Sequence, residues 1–131
     1  AWSDDRASFH GDFINFSDVY SRPQPVDRHV PIIVGGHSKR AARRAGQFGD
    51  GFFPGRGRPE ELAELFDHAR RSAEECGRDP ASLEFTAGGP TTPEFVEQLA
   101  AIGVSRMIVP PMEPSHFAKF GDEVITEFSS F

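Results

Sequence analysis

The sequence predicts an α/β fold in which four parallel strands alternate with four helices. Short apolar runs recur along residues 31–131, and each is followed by a turn and then by apolar residues at helical spacing. Connections long enough to hold a helix favour parallel strands with right-handed crossovers. Such alternation is typical of an open doubly wound sheet or of a closed (β/α)8 barrel, and it does not choose between them.

The first thirty residues predict a hairpin and a linker. Aromatic residues flank the pair Gly11-Asp12, which is a hairpin signal. Pro23 and Pro25 then favour an extended connection to the first parallel strand. We therefore expect a hairpin and linker over residues 1–30.

The four βα units begin and end at recognisable residues. Ser38 occupies the N-cap position of an Ala- and Arg-rich helix, Pro59 suits the first position of the next helix, and Gly77 stops it. The apolar runs at 31–35 and 106–109 are expected to be buried strands. The predicted strands cover residues 31–35, 51–54, 83–87 and 106–109, and the predicted helices cover residues 38–48, 59–76, 93–102 and 114–128.

Composition indicates a soluble globular protein. Of 131 residues, 37% are hydrophobic and 26% are charged. The net charge of −6 argues against a nucleic-acid partner. No membrane-spanning run and no signal-peptide pattern are present, which favours a cytoplasmic location without a membrane partner. The start at Ala1 rather than Met is consistent with a fragment.

Cysteine and histidine suggest no redox or metal chemistry. The single cysteine, Cys76, excludes an internal disulfide and lies on the apolar stripe of its helix, which predicts a buried thiol. The five histidines show no metal-ligand spacing, and no Ser-His-Asp order, HExxH motif or P-loop is present. Neither a metal site nor a catalytic residue is therefore assigned.

Two linked segments of the chain resemble a known family. Residues 31–54 read PIIVGGHSKRAARRAGQFGDGFFP, an aliphatic strand, a Gly-Gly turn, an Ala/Arg-rich helix and a Gly-Asp-Gly turn before an aromatic residue. This pairing is similar to that of the bacterial luciferase-like flavin and deazaflavin oxidoreductases, which include the coenzyme F420-dependent reductases. The aromatic segment before it and the strand near 106–109 also resemble the family, so the likeness covers nearly the whole chain.

The resemblance implies part of a (β/α)8 barrel. A complete barrel needs about 250 residues, so four βα units correspond to the C-terminal half, a single incomplete domain over residues 1–131. The family further implies a flavin- or deazaflavin-dependent monooxygenase or reductase, such as a methylenetetrahydromethanopterin reductase-like protein, with FMN or F420 as cofactor and a small organic substrate. Much of the family's pocket for the flavin ring comes from the first half, so we expect this chain alone to lack a complete active site.

The turn at residues 35–38 is the candidate cofactor site. It follows a strand and begins a helix, which places the backbone N–H groups of Gly36, His37 and Ser38, with the Ser38 hydroxyl, around one anion. A tight turn with an ordinary N-cap is the competing interpretation. The resemblance favours a phosphate site formed by Gly35, Gly36, His37 and Ser38.

Two further residues are candidates for contact with a ligand near this turn. Arg56 follows the second parallel strand and would pair with an anionic cofactor tail or substrate, unless it is simply a solvated loop arginine. Asp50 lies between two glycines and is interpreted as capping its turn rather than as touching a ligand.

Other classes of function stay open. A half-barrel exposes unpaired sheet edges. The alternative is therefore a non-catalytic chain that forms a homodimer, pairs with a missing N-terminal half or binds a phosphorylated ligand. A doubly wound sheet that binds a phosphorylated ligand fits the alternation of strands and helices, but not the pairing of Gly-Gly with Gly-Asp-Gly.

Overall fold

The computed structural model describes residues 3–126 of the chain. The chain divides into two units, Ala1–Pro31 and Ile32–Phe131, each with its own set of internal contacts. The division falls close to the boundary at which the sequence predicts that the linker gives way to the first βα unit.

The first unit contains an antiparallel hairpin. Its strands are β1 (Ala7–His10) and β2 (Asn15–Val19). The Gly11 N–H donates to the Ile14 carbonyl at 3.0 Å and closes the turn between them. The hairpin predicted from the Gly-Asp pair is confirmed.

The second unit alternates strands and helices in the predicted order. Each of its first three helices leads into the next strand, and the last helix follows the last strand. A 3₁₀ turn at Pro80–Ser82 precedes the third strand. The elements are β3 (Ile33–Gly35), α1 (Lys39–Phe48), β4 (Gly51–Phe53), α2 (Pro59–Glu75), β5 (Glu84–Gly88), α3 (Pro93–Ala101), β6 (Val104–Ile108) and α4 (Pro114–Phe120).

The four strands form one parallel sheet in the order β3-β4-β5-β6. Val34 pairs with Phe52, and Phe52 pairs with Phe85, so one face of the sheet carries a continuous apolar row. Sequential parallel order with helical crossovers confirms the predicted α/β class, and it is the arrangement expected of a partial (β/α)8 barrel.

Three phenylalanine rings form the centre of the core between the sheet and α2. The Phe66 ring packs edge-on against Phe52, with centroids 6.2 Å apart and planes at 87°, and lies 4.3 Å from the centroid of Phe85. Phe52 and Phe66 are fully buried. The guanidinium of Arg70 covers the Phe85 ring at 4.6 Å and donates to the Ile102 carbonyl at 3.1 Å, which links α2 to the end of α3.

Helix α1 approaches α2 closely because Gly46 has no side chain. A Cβ atom placed on Gly46 would lie 2.3 Å from the Ala69 carbonyl oxygen and 2.8 Å from the Ala73 nitrogen. The Ser72 hydroxyl bridges the two helices by donating to the Arg43 carbonyl at 3.1 Å. Backbone-to-backbone contact of this kind leaves no room for even one extra methyl group.

The two outer strands are less buried than their sequence predicts. In β3, Ile33 and Val34 are only half-buried, and Ile108 of β6 is 49% exposed. Both are edge strands of the sheet, and neither has a second strand on its outer side among residues 3–126. The expectation of buried strands at 31–35 and 106–109 is wrong for this reason, and the last strand begins two residues earlier, at Val104.

Two further expectations need correction. Cys76 is exposed rather than buried, because α2 ends at Glu75 and the chain turns away at the following glycine. Helix α4 ends at Phe120, within the predicted range 114–128, and continues as a π-helical segment at Gly121–Ile125. The predicted end of this helix, at residue 128, lies outside the described residues.

Within residues 3–126, no helix has the length and apolar character needed to cross a membrane.

We predict that Gly46→Ala destabilises the protein although alanine is the better helix former. The steric conflict with the backbone of α2 should cost about 1–3 kcal/mol, which outweighs a propensity gain of about 1 kcal/mol. Urea unfolding followed by circular dichroism measures the change. Gly121→Ala is the matched control: Gly121 has helical torsions of −59° and −47°, and nothing lies within 4 Å of an added Cβ. Equal stability of the two variants would contradict the close contact.

Candidate functional site

The carboxyl ends of the four parallel strands lie at one edge of the sheet, which we call the carboxyl edge. The turns that follow β3 and β4 lie there, and so do the amino ends of α1 and α2, because each crossover begins where a strand ends. Open α/β sheets bind ligands at this edge. All five predicted site residues lie at this edge: Gly35 ends β3, and the two turns contain Gly36, His37, Ser38 and Arg56.

Gly36 shapes the turn after β3. Its φ of +130° is a conformation that residues with a side chain rarely adopt, and a Cβ there would lie 3.0 Å from the Cβ of Ala41. The Gly36 N–H donates to the Phe53 carbonyl at 3.2 Å. This amide is used within the sheet, whereas the sequence interpretation assigned it to a ligand. The role of Gly36 is therefore conformational.

Ser38 is the N-cap of α1, as predicted. Its backbone is extended, and its Oγ accepts a hydrogen bond from the Ala41 N–H at 3.2 Å. The first main-chain bond of the helix runs from the Ala42 N–H to the Ser38 carbonyl at 3.0 Å. The N–H groups of Lys39 and Arg40 therefore have no intrahelical acceptor and carry the positive end of the helix dipole.

His37 ties the two turns together. Its Nδ1 lies 3.1 Å from the Pro54 carbonyl oxygen. A carbonyl only accepts hydrogen bonds, so Nδ1 carries the proton of this bond, and Nε2 is the acceptor in the neutral ring. The ring also lies against Gly57, where an added Cβ would be 3.2 Å from Cε1. His37 is thus positioned by β4 as well as by its own turn.

The amino end of α2 carries a local ion pair. Arg58 donates to Oε1 of Glu61 through Nε at 3.0 Å and Nη2 at 2.7 Å. The hydrogen bond from the Arg58 side chain is the main reason that the pKa of Glu61 is lowered, and the positive field of His37 contributes. The same bond raises the pKa of Arg58. Both side chains of the pair are exposed, so it orients the loop more than it stabilises the fold.

Arg56 lies on the other side of the β4 turn, beside β5. It forms a parallel bridge with Gly88, and a Cβ on Gly88 would lie 3.4 Å from the Arg56 Cγ. The side chain is exposed, and it has no ion pair with any carboxylate in the described part of the chain. The structure thus brings the predicted residues to the same edge of the sheet, but Arg56 lies by β5 rather than at the amino end of α1.

Asp50 lies at the opposite, amino-terminal edge of the sheet. Its Oδ2 accepts from the Ile32 N–H at 2.8 Å, and its own N–H donates to the Ile32 carbonyl at 2.8 Å. Its carbonyl also accepts from the Glu84 N–H at 3.0 Å. Asp50 therefore joins the beginnings of three strands, in agreement with the turn-capping interpretation.

The sheet face opposite α1 and α2 carries polar groups that sequence reasoning did not single out. Glu84 and Arg106 form an ion pair at 2.6 Å across β5 and β6. Thr86, which pairs with Arg106 in the register of β5 and β6, is only 3% exposed, and its hydroxyl has no hydrogen-bond partner among the described residues. Alternating side-chain direction places these residues where the interior of a complete barrel would be. Only a register assignment for β5 and β6 would have revealed them.

Comparison with known proteins identifies the fold and the family. The structure of a coenzyme F420 dependent tetrahydromethanopterin reductase from Methanopyrus kandleri superposes with a TM-score of 0.75 at 12% identity, covering 92% of this chain and 58% of that one. The sequence matches the family model of the luciferase-like monooxygenases over residues 1–119. The chain belongs to this family.

Curated relatives are considerably longer than this chain. An uncharacterised protein of Mycobacterium tuberculosis is 35% identical over 106 residues, which is 80% of this chain and 36% of the relative. An FMNH2-dependent dimethylsulfone monooxygenase of Pseudomonas putida is 38% identical over 73 residues, which is 55% of this chain and 20% of the enzyme. The chain therefore spans between 20% and 36% of these two proteins.

We predict that Asp50→Ala lowers stability without changing ligand binding at the carboxyl edge. Loss of a charged acceptor for a backbone N–H should cost about 1.5–3 kcal/mol. Urea unfolding measures this loss, and cofactor titration of the complete protein provides the second readout. A variant that folds normally but binds the cofactor weakly would show that Asp50 acts at the ligand site.

Proposed function

We propose that the protein to which this chain belongs is an oxidoreductase that uses a reduced flavin or deazaflavin, and that this chain contributes the cofactor-phosphate site. The observation that carries the proposal is the turn after β3, where Gly36 at a φ of +130° leads into the capped amino end of α1. Family membership supports the redox class. Relatives named for FMNH2 and for F420 support FMN or F420 as the cofactor.

The groups at this turn suit a phosphate. The amides of Lys39 and Arg40 are unbonded within the helix, and the Ser38 hydroxyl is held beside them by its bond to Ala41. The helix dipole adds positive potential at the same place. Gly35 and Gly36 keep side chains away from the approach to these donors. The Nδ1 proton of His37 is used by the Pro54 carbonyl, so His37 would donate to a phosphate through Nε2 only when its ring is protonated.

Arg56 is proposed to act separately from this phosphate site. Its aliphatic stem lies over Gly88, at the carboxyl edge of the sheet face opposite α1 and α2. A guanidinium there suits an anionic part of the cofactor or of a small-molecule substrate. Two anion contacts at one edge of the sheet would fix both the position and the orientation of an extended ligand.

The bound cofactor would supply hydride transfer or oxygen activation, and the residues of this chain bind and orient it. Their contribution would be to hold the phosphate at the amino end of α1 and a second anionic group at Arg56. No residue of this chain is assigned a proton-transfer step. The chain spans only part of its relatives, so the ring pocket and the substrate are proposed to involve residues outside it.

We predict that substitutions of Ser38 separate capping from phosphate binding. Aspartate is as good an N-cap as serine, but its charge would repel a phosphate. In the complete protein, Ser38→Asp should keep its stability and weaken FMN and F420 binding about tenfold or more, which corresponds to about 1.4 kcal/mol. Fluorescence titration measures the dissociation constants.

Riboflavin and Ser38→Thr provide the matched controls for this experiment. Riboflavin has the same ring as FMN but no phosphate, so Ser38→Asp should leave its affinity unchanged. Threonine keeps both the hydroxyl and the cap, so Ser38→Thr should bind FMN almost normally. Equal weakening of FMN and riboflavin, or no weakening of either, would refute the phosphate site.

The open sheet suggests a partner that completes it. Among residues 3–126, β3 and β6 each have a neighbouring strand on one side only, and Ile108 is half exposed. We propose that the remaining part of the same polypeptide closes the barrel, because the relatives are much longer. Pairing of two copies of this chain is the alternative.

We expect the isolated 131-residue chain to bind a hydrophobic dye and to sediment as a dimer or larger species. The complete protein should bind no dye at this sheet. Unpaired strand edges and accessible apolar side chains are the physical reason. Analytical ultracentrifugation and dye fluorescence provide the test. A monomeric isolated chain without dye binding would show that the sheet needs no further strands.

A further inference from the structure

A groove with a cavity volume of 760 Å³ lies along the seam between α1 and α2. It begins at Lys39 and Arg40, whose backbone amides belong to the proposed phosphate site, and extends away from that site along both helices to the last turn of α2. We call it the basic groove. It is lined by Lys39, Arg40, Arg43, His68, Arg71, Ser72 and Glu75.

The basic groove concentrates positive charge in an acidic chain. Four of its lining side chains are lysine or arginine and only one is a carboxylate, whereas the net charge of the chain is −6. These four cationic side chains are exposed. None forms an ion pair with a described carboxylate. The charges are therefore available to an external anion.

The position of these cations is electrostatically unfavourable for the isolated helix. Lys39 and Arg40 lie in the first turn of α1, at the positive end of its dipole, and that turn contains no acidic residue. Lys39 and Arg43 are four residues apart, a spacing at which like charges repel. A bound anion in the groove relieves both interactions.

The shape of the groove selects among anionic partners. From His68 to Glu75 the α2 wall is about 10 Å long at 1.5 Å per residue, which matches about three residues of extended chain. A flat lipid surface does not reach into a concave seam between helices. A short extended peptide segment fits a wall of this length.

We infer that the basic groove docks a short acidic segment, rich in Asp and Glu, of a partner protein. The guanidiniums of Arg40 and Arg43 suit paired hydrogen bonds to carboxylates. Arg71, whose Nε donates to the Asp67 carbonyl at 3.3 Å, adds positive charge to the opposite wall. The buried Ser72 hydroxyl, which donates to the Arg43 carbonyl, holds the two walls of the groove at a fixed separation.

Fluorescence anisotropy with a fluorescein-labelled hexaglutamate peptide tests this inference on the complete protein. We expect saturable binding at 50 mM salt that weakens several-fold at 300 mM salt, because exposed charges are screened over about 10 Å at 0.1 M. Arg43→Glu should weaken binding at least fivefold. The Arg43 carbonyl that accepts from Ser72 is unchanged by this substitution, so the thermal midpoint should be preserved.

Arg44→Glu is the matched control. Arg44 is exposed on the same helix but does not line the groove, and its substitution changes the net charge by the same amount. Its effect on peptide binding should be less than twofold. Equal weakening by Arg43→Glu and Arg44→Glu would overturn the inference, because the peptide would then be responding to overall charge.

Two competitors distinguish the remaining outcomes. Unlabelled FMN should not displace the peptide, and displacement would mean that the groove belongs to the cofactor site. A labelled single-stranded oligonucleotide should bind more weakly than the peptide, and tighter binding would replace the inference by a nucleic-acid surface. Absence of peptide binding at 50 mM salt would also overturn it.

Discussion

The contact between α1 and α2 at Gly46 is the constraint that positions the rest of the second unit. The two backbones meet without side chains between them, and the Ser72 hydroxyl adds a hydrogen bond across the contact. Arg78, which follows α2, donates to the carbonyls of Gly46 and Gly49 at 2.5 and 2.6 Å. These bonds satisfy acceptors at the carboxyl end of α1, where a helix otherwise lacks partners.

This fixed carboxyl end makes α1 asymmetric. At one end its carbonyls are bonded to Arg78, and at the other the amides after Ser38 are unbonded within the helix. The two ends of β3, the strand before α1, also differ. At its amino end the Asp50 carboxylate accepts from the Ile32 N–H, and at its carboxyl end the chain enters the Gly36 turn. The hydrogen bonds of Asp50 and Arg78 thus lie toward the amino-terminal edge of the sheet, and the candidate ligand contacts lie at the carboxyl edge.

The sequence predicts the elements well because their signals are local. Ser38, Pro59 and the Gly-Gly and Gly-Asp-Gly turns each specify an end of a helix or strand, and the observed helices α1 to α3 begin and end within one residue of expectation. Burial is predicted less well. An aliphatic run predicts that a strand is buried but does not show which elements pack against it, so the burial of the two edge strands is overestimated. The apolar stripe of α2 likewise does not show that Cys76 lies beyond the packed part of the helix. The bond between His37 and Pro54 and the use of the Gly36 amide within the sheet depend on how two turns meet, which no local pattern encodes.

Helix α1 therefore presents positive potential from two different physical sources. At its amino end the potential comes from oriented amides, whose effect fades within the first turn and requires a ligand in direct contact. Along its outer side it comes from flexible lysine and arginine side chains, whose field reaches about 10 Å at 0.1 M salt and is screened beyond that distance. The first source discriminates by geometry and suits one phosphate held at a fixed point. The second tolerates different geometries and suits a mobile acidic chain, so the two surfaces can lie on one short helix without competing for the same ligand.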